Sequence, residues 1–146
     1  MRIAVIGAGA MGSIYGGHLS QHNDVLLVDT NEKVVEQVAN NGLLIDEDGT
    51  THTYHPGAVS NTKGQEPADL VILFVKALFS RAALEGNRGL IGPHTRLMTL
   101  QNGAGHEDLL KEFVDEDHIV IGTTEDNGAV LGMGHVRRGG TGVTNV

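Results

Sequence analysis

Short apolar runs alternate with segments of helical spacing along the first third of the chain. The runs Arg2–Ile6 and Asp24–Val28 predict two strands, and the period of the apolar residues in 10–21 and 32–40 predicts a helix after each of them. Gly42 follows the second helix at a position where glycine commonly ends a helix. This alternation of strand and helix is typical of α/β domains that contain a parallel sheet.

The remainder of the chain continues this alternation after one interruption. Residues 43–45 and Thr50–Tyr54 predict a short hairpin, because a turn-forming segment separates them. The later pattern predicts strands at 69–75, 96–100 and 118–123, helices at 78–85 and 106–113, and an antiparallel pairing of 133–138 at the sheet edge. We therefore predict one domain over residues 1–146, a Rossmann-type, doubly wound, mostly parallel sheet with an antiparallel edge.

A motif with the spacing G-x-G-x-x-G lies where the first predicted strand turns into the first helix. It consists of Gly7, Ala8, Gly9, Ala10, Met11 and Gly12. Gly7 would permit the tight turn, Gly9 would let a pyrophosphate approach the backbone, and Gly12 would let the helix pack closely on the sheet. The helix N-terminus would supply N–H donors for the phosphates. A purely structural turn is the alternative, but strand, helix and a following acidic residue together favour a cofactor-binding loop.

Asp29 is the acidic residue at the end of the second predicted strand. A carboxylate at this place accepts hydrogen bonds from the adenosine ribose of NAD, whereas NADP requires a nearby basic residue for its 2′-phosphate. Thr30 follows Asp29, and Lys33 is the nearest basic residue. We therefore predict a preference for NAD(H) over NADP(H). The alternative is that Asp29 only caps the helix that follows it.

Lys76 and Asn102 follow the predicted strands 69–75 and 96–100. Because parallel strands present ligand-binding residues at their carboxyl ends, both are candidates for contacts in the cofactor crevice. A surface lysine is the alternative for Lys76, and a simple Asn-Gly turn is the alternative for Asn102.

Composition and charge exclude several classes of function. The formal net charge of −8 disfavours nucleic acid as a partner, and the absence of cysteine excludes a disulfide framework. The eight histidines lack metal-ligand spacing, so we predict no metal site and interpret them as solvated or capping residues. No apolar run approaches the length of a membrane span, which predicts a soluble, cytoplasmic protein without a membrane partner.

Together these motifs resemble the ketopantoate reductase (2-dehydropantoate 2-reductase) family along the whole chain. The resemblance is carried by the glycine loop with Ser13 after it, and by Val75-Lys76-Ala77, Gln101-Asn102-Gly103, Gly122-Thr123-Thr124, Gly134-His135-Val136 and Gly139-Gly140-Thr141-Gly142. It implies an NAD(P)-dependent oxidoreductase that reduces 2-dehydropantoate, or a closely related 2-keto acid, to (R)-pantoate in pantothenate biosynthesis.

The resemblance also implies a division of labour. Lys76 and Asn102 would line the nicotinamide end of the cofactor, and the backbone at Gly128 would lie near it. Family members carry a second, mostly helical domain with the proton-donating lysine and a substrate-binding carboxylate, and we interpret the glycine-rich end of this chain as a cut before that domain. We therefore expect the isolated chain to bind cofactor without turnover, and to self-associate through residues 131–146.

Two other functions stay open at this point. A dinucleotide-sensing module without catalysis would use the same fold, and the lack of an evident catalytic acid keeps this alternative open. Lys76 and Asn102 argue against it, since a sensor needs no polar groups at the nicotinamide end. Among enzymes, the alternative is another hydroxyacid or opine-type dehydrogenase. The resemblance is also incomplete at one place, because family members often have a basic residue near the end of the second strand, where this sequence has Asp29-Thr30.

Overall fold

The computed structural model describes residues 1–100 and 106–145. Its elements, in chain order, are β1 (Arg2–Ile6), α1 (Ala10–Leu19), β2 (Asp24–Val28), α2 (Glu32–Asn41), β3 (Leu43–Glu47), β4 (Thr50–Tyr54), β5 (Gly57–Val59), β6 (Leu70–Leu73), α3 (Ser80–Gly86), β7 (Arg96–Thr99), α4 (His106–Leu110), β8 (Ile119–Ile121), β9 (Thr123–Gly132) and β10 (His135–Asn145). Short 3₁₀ segments occur at Ala77–Phe79, Arg88–Leu90 and Glu116–His118.

Six strands form one parallel sheet in the order β5-β2-β1-β6-β7-β8. The strand order reverses between β1 and β6, which creates the crevice where ligands bind in open α/β sheets. Residues 3–6 of strand β1 are all apolar and buried, because alternate residues enter two different cores. Val5 packs in the core that contains Ile14 of α1, whereas Ile6 packs in the core that contains Leu84 of α3.

A second sheet of four strands, in the order β4-β3-β10-β9, covers the other side of α1. Its two hairpins are antiparallel, and β3 and β10 join them by a parallel pairing. Helix α1 approaches both sheets closely. A Cβ atom at Gly16 would come within 2.5 Å of Leu27, and one at Gly17 would come within 2.7 Å of Ile45. Glycine at these two positions therefore lets α1 pack closely between the two sheets.

The predicted fold class is confirmed, and most predicted elements agree with the structure to within a few residues. The antiparallel pairing expected for 133–138 occurs in β10, which lies in the second sheet rather than beside the parallel one. Two strands were not predicted: β5, which has only three residues, and β9, which contains glycine at both 128 and 132. Strands this short or this rich in glycine show little of the alternation of apolar and polar residues by which a strand is predicted from sequence.

Three large apolar side chains are exposed where β9 turns into β10: Val130, Leu131 and Met133 are 62%, 45% and 51% exposed. Leu131 and Met133 lie within residues 131–146, the range through which self-association was expected, and exposed apolar side chains are common at such surfaces. Self-association through it stays a prediction. Among the described residues, no helix has both the length and the apolar character needed to cross a membrane.

Candidate cofactor-binding site

The turn between β1 and α1 requires glycine at two places for different reasons. Gly7 has a φ of +106°, its N–H donates to Val28 O at 2.8 Å, and a Cβ there would lie 3.0 Å from the carbonyl carbon of Phe74. At Gly12 a Cβ would collide with the carbonyl oxygen of Gly7. The loop and the first turn of α1 therefore lie against each other without intervening side chains.

Gly9 differs from these two glycines because its missing side chain leaves open space. It is exposed, it forms the N-cap of α1, and no atom lies within 4 Å of a Cβ built on it. No side chain of the described residues caps the helix there. The first N–H groups of a helix lack intrahelical partners, so this end of α1 can donate to an anion that approaches over Gly9.

Ala8, which lies between Gly7 and Gly9, is held by two hydrogen bonds. Ala8 N–H donates to Asp29 Oδ2 at 2.8 Å, and the buried Ser13 hydroxyl donates to Ala8 O at 3.1 Å. The sequence predicts Asp29 as a ligand-binding residue or a helix cap, and its contact with the glycine loop is a further role that the structure adds. Only a contact between chain-distant residues reveals this role.

Asp29 is not the N-cap of α2. Its Oδ1 accepts from Asn31 N–H at 2.8 Å, and Asn31 is the residue whose side chain accepts from the N–H groups of Lys33 and Val34. The Asp29 carboxylate is half-buried beside the loop, and each of its oxygens retains acceptor capacity beyond its one backbone bond.

A cleft of about 470 Å³ opens next to Asp29 and the glycine loop. Its walls come from β1 and its turn, from the end of β2, from the segment after β5, and from α3 with the 3₁₀ turn before it. The lining residues are Ile6, Gly7, Val28, Asp29, Thr30, Ser60, Asn61, Val75, Phe79, Ala82, Ala83, Gly86 and Asn87. Of these, only Gly7 and Asp29 were predicted as site residues, because most of the others belong to no motif and meet only in the folded chain.

Three residues outside the glycine loop and the end of β2 were also predicted for the site, and the structure describes two of them. Lys76 follows β6 and is exposed, and the wall of the cleft is formed by its neighbour Val75. Gly128 in β9 lies against the first half of α1, where a Cβ would come within 2.7 Å of Ile14 and 3.0 Å of Arg137 O. Its packing role is thus clear from the structure. Asn102 lies outside the described residues.

These features fit a nicotinamide dinucleotide. The open space over Gly9 and the uncapped N-terminus of α1 suit a pyrophosphate, and a carboxylate at the end of β2 suits ribose hydroxyls. The apolar cleft beyond the carboxylate has room for a ring system.

A separate ionic cluster lies at the other end of α1, around Glu47 of β3. Its carboxylate contacts His18 Nε2 at 3.0 Å, accepts from the Tyr54 hydroxyl at 3.0 Å, and accepts from Arg138 at 3.4 Å. Burial raises the pKa of the Glu47 carboxyl, but the hydrogen bonds from His18, Tyr54 and Arg138 and the charge of His18 together outweigh burial, so its pKa lies below the ordinary value. Burial and the Glu47 carboxylate raise the pKa of Tyr54.

The prediction that every histidine is solvated or capping is therefore wrong for two of them. His18 pairs with Glu47, and His135 Nε2 lies 2.8 Å from Asp46. Both pairs connect residues far apart in the chain, so no local pattern could have indicated them. Within 1–100 and 106–145, acidic residues and histidines form no cluster suited to a metal ion.

The strand order and the glycine loop at its switch point define a Rossmann-type α/β domain. The family model described as ketopantoate reductase PanE/ApbA matches residues 3–146, so the chain belongs to the ketopantoate reductase family. This finding confirms the resemblance that the motifs suggested.

Curated relatives agree with this assignment, and a solved dehydrogenase of another name has a similar fold. A 2-dehydropantoate 2-reductase of Streptococcus pyogenes is 33% identical over 100% of this chain and 48% of its own length, and one of Lactococcus lactis is 36% identical over 97% and 46%. A solved D-mandelate dehydrogenase with NADH and anilino(oxo)acetate is 37% identical, with a TM-score of 0.92 over 99% of this chain and 47% of that one. The chain spans about half the length of the curated relatives it matches.

Proposed function

We propose that this chain is the nicotinamide-binding domain of a 2-keto acid reductase whose substrate is 2-dehydropantoate. The observation that carries the proposal is the loop in which Gly9 is open at the N-terminus of α1 while Asp29 braces Ala8 beside the cleft. Membership of the ketopantoate reductase family supports the reaction class.

The residues of the loop would bind and orient the cofactor. Backbone N–H groups at the start of α1 would donate to the pyrophosphate, which needs the space that a side chain at position 9 would fill. Asp29 would accept hydrogen bonds from the adenosine ribose while it continues to hold Ala8. Because one carboxylate serves both purposes, ribose binding and loop geometry are coupled.

When bound, the cofactor supplies the hydride for reduction of the keto group. We assign Lys76, which follows β6, and Asn102, which follows the predicted strand 96–100, to the nicotinamide end as supporting catalytic residues, with the backbone at Gly128 near it. The proton donor and the substrate carboxylate site belong to a second domain in this proposal. The chain alone should therefore bind cofactor but reduce no 2-dehydropantoate, since general acid catalysis contributes roughly 10²–10⁴ in rate.

The titration of the isolated chain with NADH tests cofactor binding. Gly9→Val should abolish binding at concentrations that saturate the unmodified chain, and thermal unfolding should be unchanged because the added side chain meets open space. Gly89→Val is the matched control, since Gly89 is also exposed with nothing near its Cβ but lies outside the cleft. Equal affinity of the Gly9→Val variant and the control would contradict the proposed site.

Cofactor choice follows from the charge next to the ribose. A carboxylate at Asp29 repels a 2′-phosphate, which we expect to favour NADH over NADPH by roughly ten- to a hundredfold after screening by salt and water. Lys33 is exposed in the first turn of α2, and its charge opposes this effect. Thr30→Arg leaves both Asp29 hydrogen bonds in place and should reduce the preference. Equal or tighter binding of NADPH by the unmodified chain would contradict the proposed preference for NADH.

D-mandelate dehydrogenase chemistry is the second candidate, because that neighbour is 37% identical and its structure holds NADH. The two candidates share the cofactor site and differ in the substrate. A protein that carries this chain together with a substrate domain should reduce 2-dehydropantoate with far higher kcat/KM than it oxidises D-mandelate. The reverse ranking would select the second candidate and leave the cofactor site intact.

A further inference from the structure

Phe79 is exposed in a way that the other aromatic residues of the chain are not. It is 56% exposed at the start of α3. The other four aromatic side chains each pack against a ring or a cation: Tyr15 with Phe74 at 5.2 Å between centroids, Tyr54 with His18 at 5.5 Å, and Phe113 under the Arg88 guanidinium at 4.6 Å. Exposure of a large apolar ring has a free-energy cost in water, so its location is informative.

That location is the cleft beside Asp29. Phe79 and Asp29 both line it, and they reach it from strands on opposite sides of β1, because Asp29 follows β2 and Phe79 belongs to the segment after β6. Phe79 is the one aromatic side chain among the described lining residues. Its neighbour Leu78 is 86% exposed but does not line the cleft. Phe79 therefore lies at the cleft because of its position in the fold, and not only because this segment is exposed.

The wall that continues from Phe79 is small and smooth. Ala82, Ala83 and Gly86 of α3 line the cleft after it. Polar groups occur beyond them, where Asn87 is held by Thr62 Oγ1 at 2.8 Å and donates to Ala83 O at 2.7 Å. A cleft with one aromatic face, small side chains and a fixed polar end suits a planar heterocycle.

We infer that Phe79 stacks on the adenine ring of the bound dinucleotide and determines the affinity for its adenosine half. The inference rests on the proposed function, which assigns the pyrophosphate to Gly9 and the adenosine ribose to Asp29. The base is the next group beyond that ribose, and the cleft that Phe79 lines is the space next to Asp29. The adenine ring would thus cover the Phe79 ring and remove it from contact with water.

Phe79→Ala tests the inference by equilibrium titration with NADH, ADP-ribose and nicotinamide mononucleotide. Stacking of an aromatic side chain on a base predicts about 5- to 150-fold weaker binding of NADH and of ADP-ribose, and unchanged binding of nicotinamide mononucleotide. Leu78→Ala is the matched control and should leave all three affinities unchanged. Phe79→Tyr should restore the affinity for the two adenosine ligands, since it keeps the ring.

A second variant reports the contact directly. The chain contains no tryptophan, so Phe79→Trp introduces a single indole at the proposed position. ADP-ribose should quench its fluorescence at the concentrations that bind, and a Leu78→Trp variant should show a smaller change. If the unmodified chain binds NADH but Phe79→Ala binds it equally well, the inference is wrong and the proposed function stands. If the unmodified chain binds neither NADH nor ADP-ribose, the proposed function itself fails.

Discussion

The two ends of helix α1 are held by different kinds of interaction. At its N-terminus, backbone lies directly on backbone, because Gly12 of the helix has no Cβ and approaches the carbonyl of Gly7. At its C-terminus, side chains form the contact, with His18 paired to the largely buried carboxylate of Glu47. The first end leaves N–H groups for a ligand, whereas the second end satisfies its charges within the protein.

This difference shows how one helix serves both binding and stability. An ion cluster at the ligand end would compete with the phosphates for the same donors. Glu47 instead connects the C-terminus of α1 to the second sheet. This contact lies about one helix length from the glycine loop, since α1 has ten residues and a helix rises about 1.5 Å per residue. We therefore expect substitutions at the two ends to affect different properties.

The largest effect should follow from Gly12→Ala. The new Cβ would collide with the carbonyl oxygen of Gly7, and this backbone cannot move without disturbing β1. We expect a loss of about 3 kcal/mol or more in the free energy of unfolding, despite the better helix propensity of alanine. Urea unfolding measures it, with Gly89→Ala as the control in open space. A variant as stable as the control would mean that the loop is looser than described.

Glu47→Gln should have the next largest effect on stability and should leave cofactor binding unchanged. Loss of the charged acceptor of His18 and Tyr54 should cost about 1.5–3 kcal/mol at neutral pH. Because the pKa of Glu47 is below its ordinary value of 4.5, its contribution is present above that pH and is lost as the pH falls through the lowered value.

The stabilities of the unmodified chain and of Glu47→Gln should therefore converge in acid, as measured by urea unfolding across a pH series. Asp46→Asn is the neighbouring control. The pKa of Asp46 is also lowered, by hydrogen bonds from Thr51 and His135, but that carboxylate is more exposed and its loss should matter less. Parallel stability curves with no convergence below pH 4.5 would contradict the assignment to Glu47.

Tyr54→Phe should give the smallest effect of the three. It removes one of several hydrogen bonds to Glu47 and keeps the ring beside His18, so we expect a loss of about 0.5–1.5 kcal/mol. Thermal unfolding of this variant and of the double variant with Glu47→Gln measures the coupling between the two groups. Fully additive losses would show that the hydroxyl and the carboxylate do not act together.

The two ends of α1 also differ in how far the sequence predicts them. The glycine spacing and the apolar run of β1 are local patterns, so the loop, the helix start and Asp29 could be identified from the chain alone. The cluster around Glu47 depends on the pairing of β3 with β10, whose partners Leu44 and His135 are far apart in the chain. Phe79 lies at the cleft because it belongs to a 3₁₀ turn, and a turn this short has no periodic pattern from which its position could be predicted.

Amide chemical-shift mapping of the isolated chain with NADH tests most directly whether the glycine-loop end of α1 binds the dinucleotide. The account predicts saturable shifts at residues 9–12, at Asp29 and Thr30, and along the cleft at Phe79 and Ala83. The amides of Glu47 and Tyr54 should remain unchanged at the same concentrations. Shifts centred on β3 and β4, with none in residues 9–12, would contradict the assignment of the cofactor to the glycine loop.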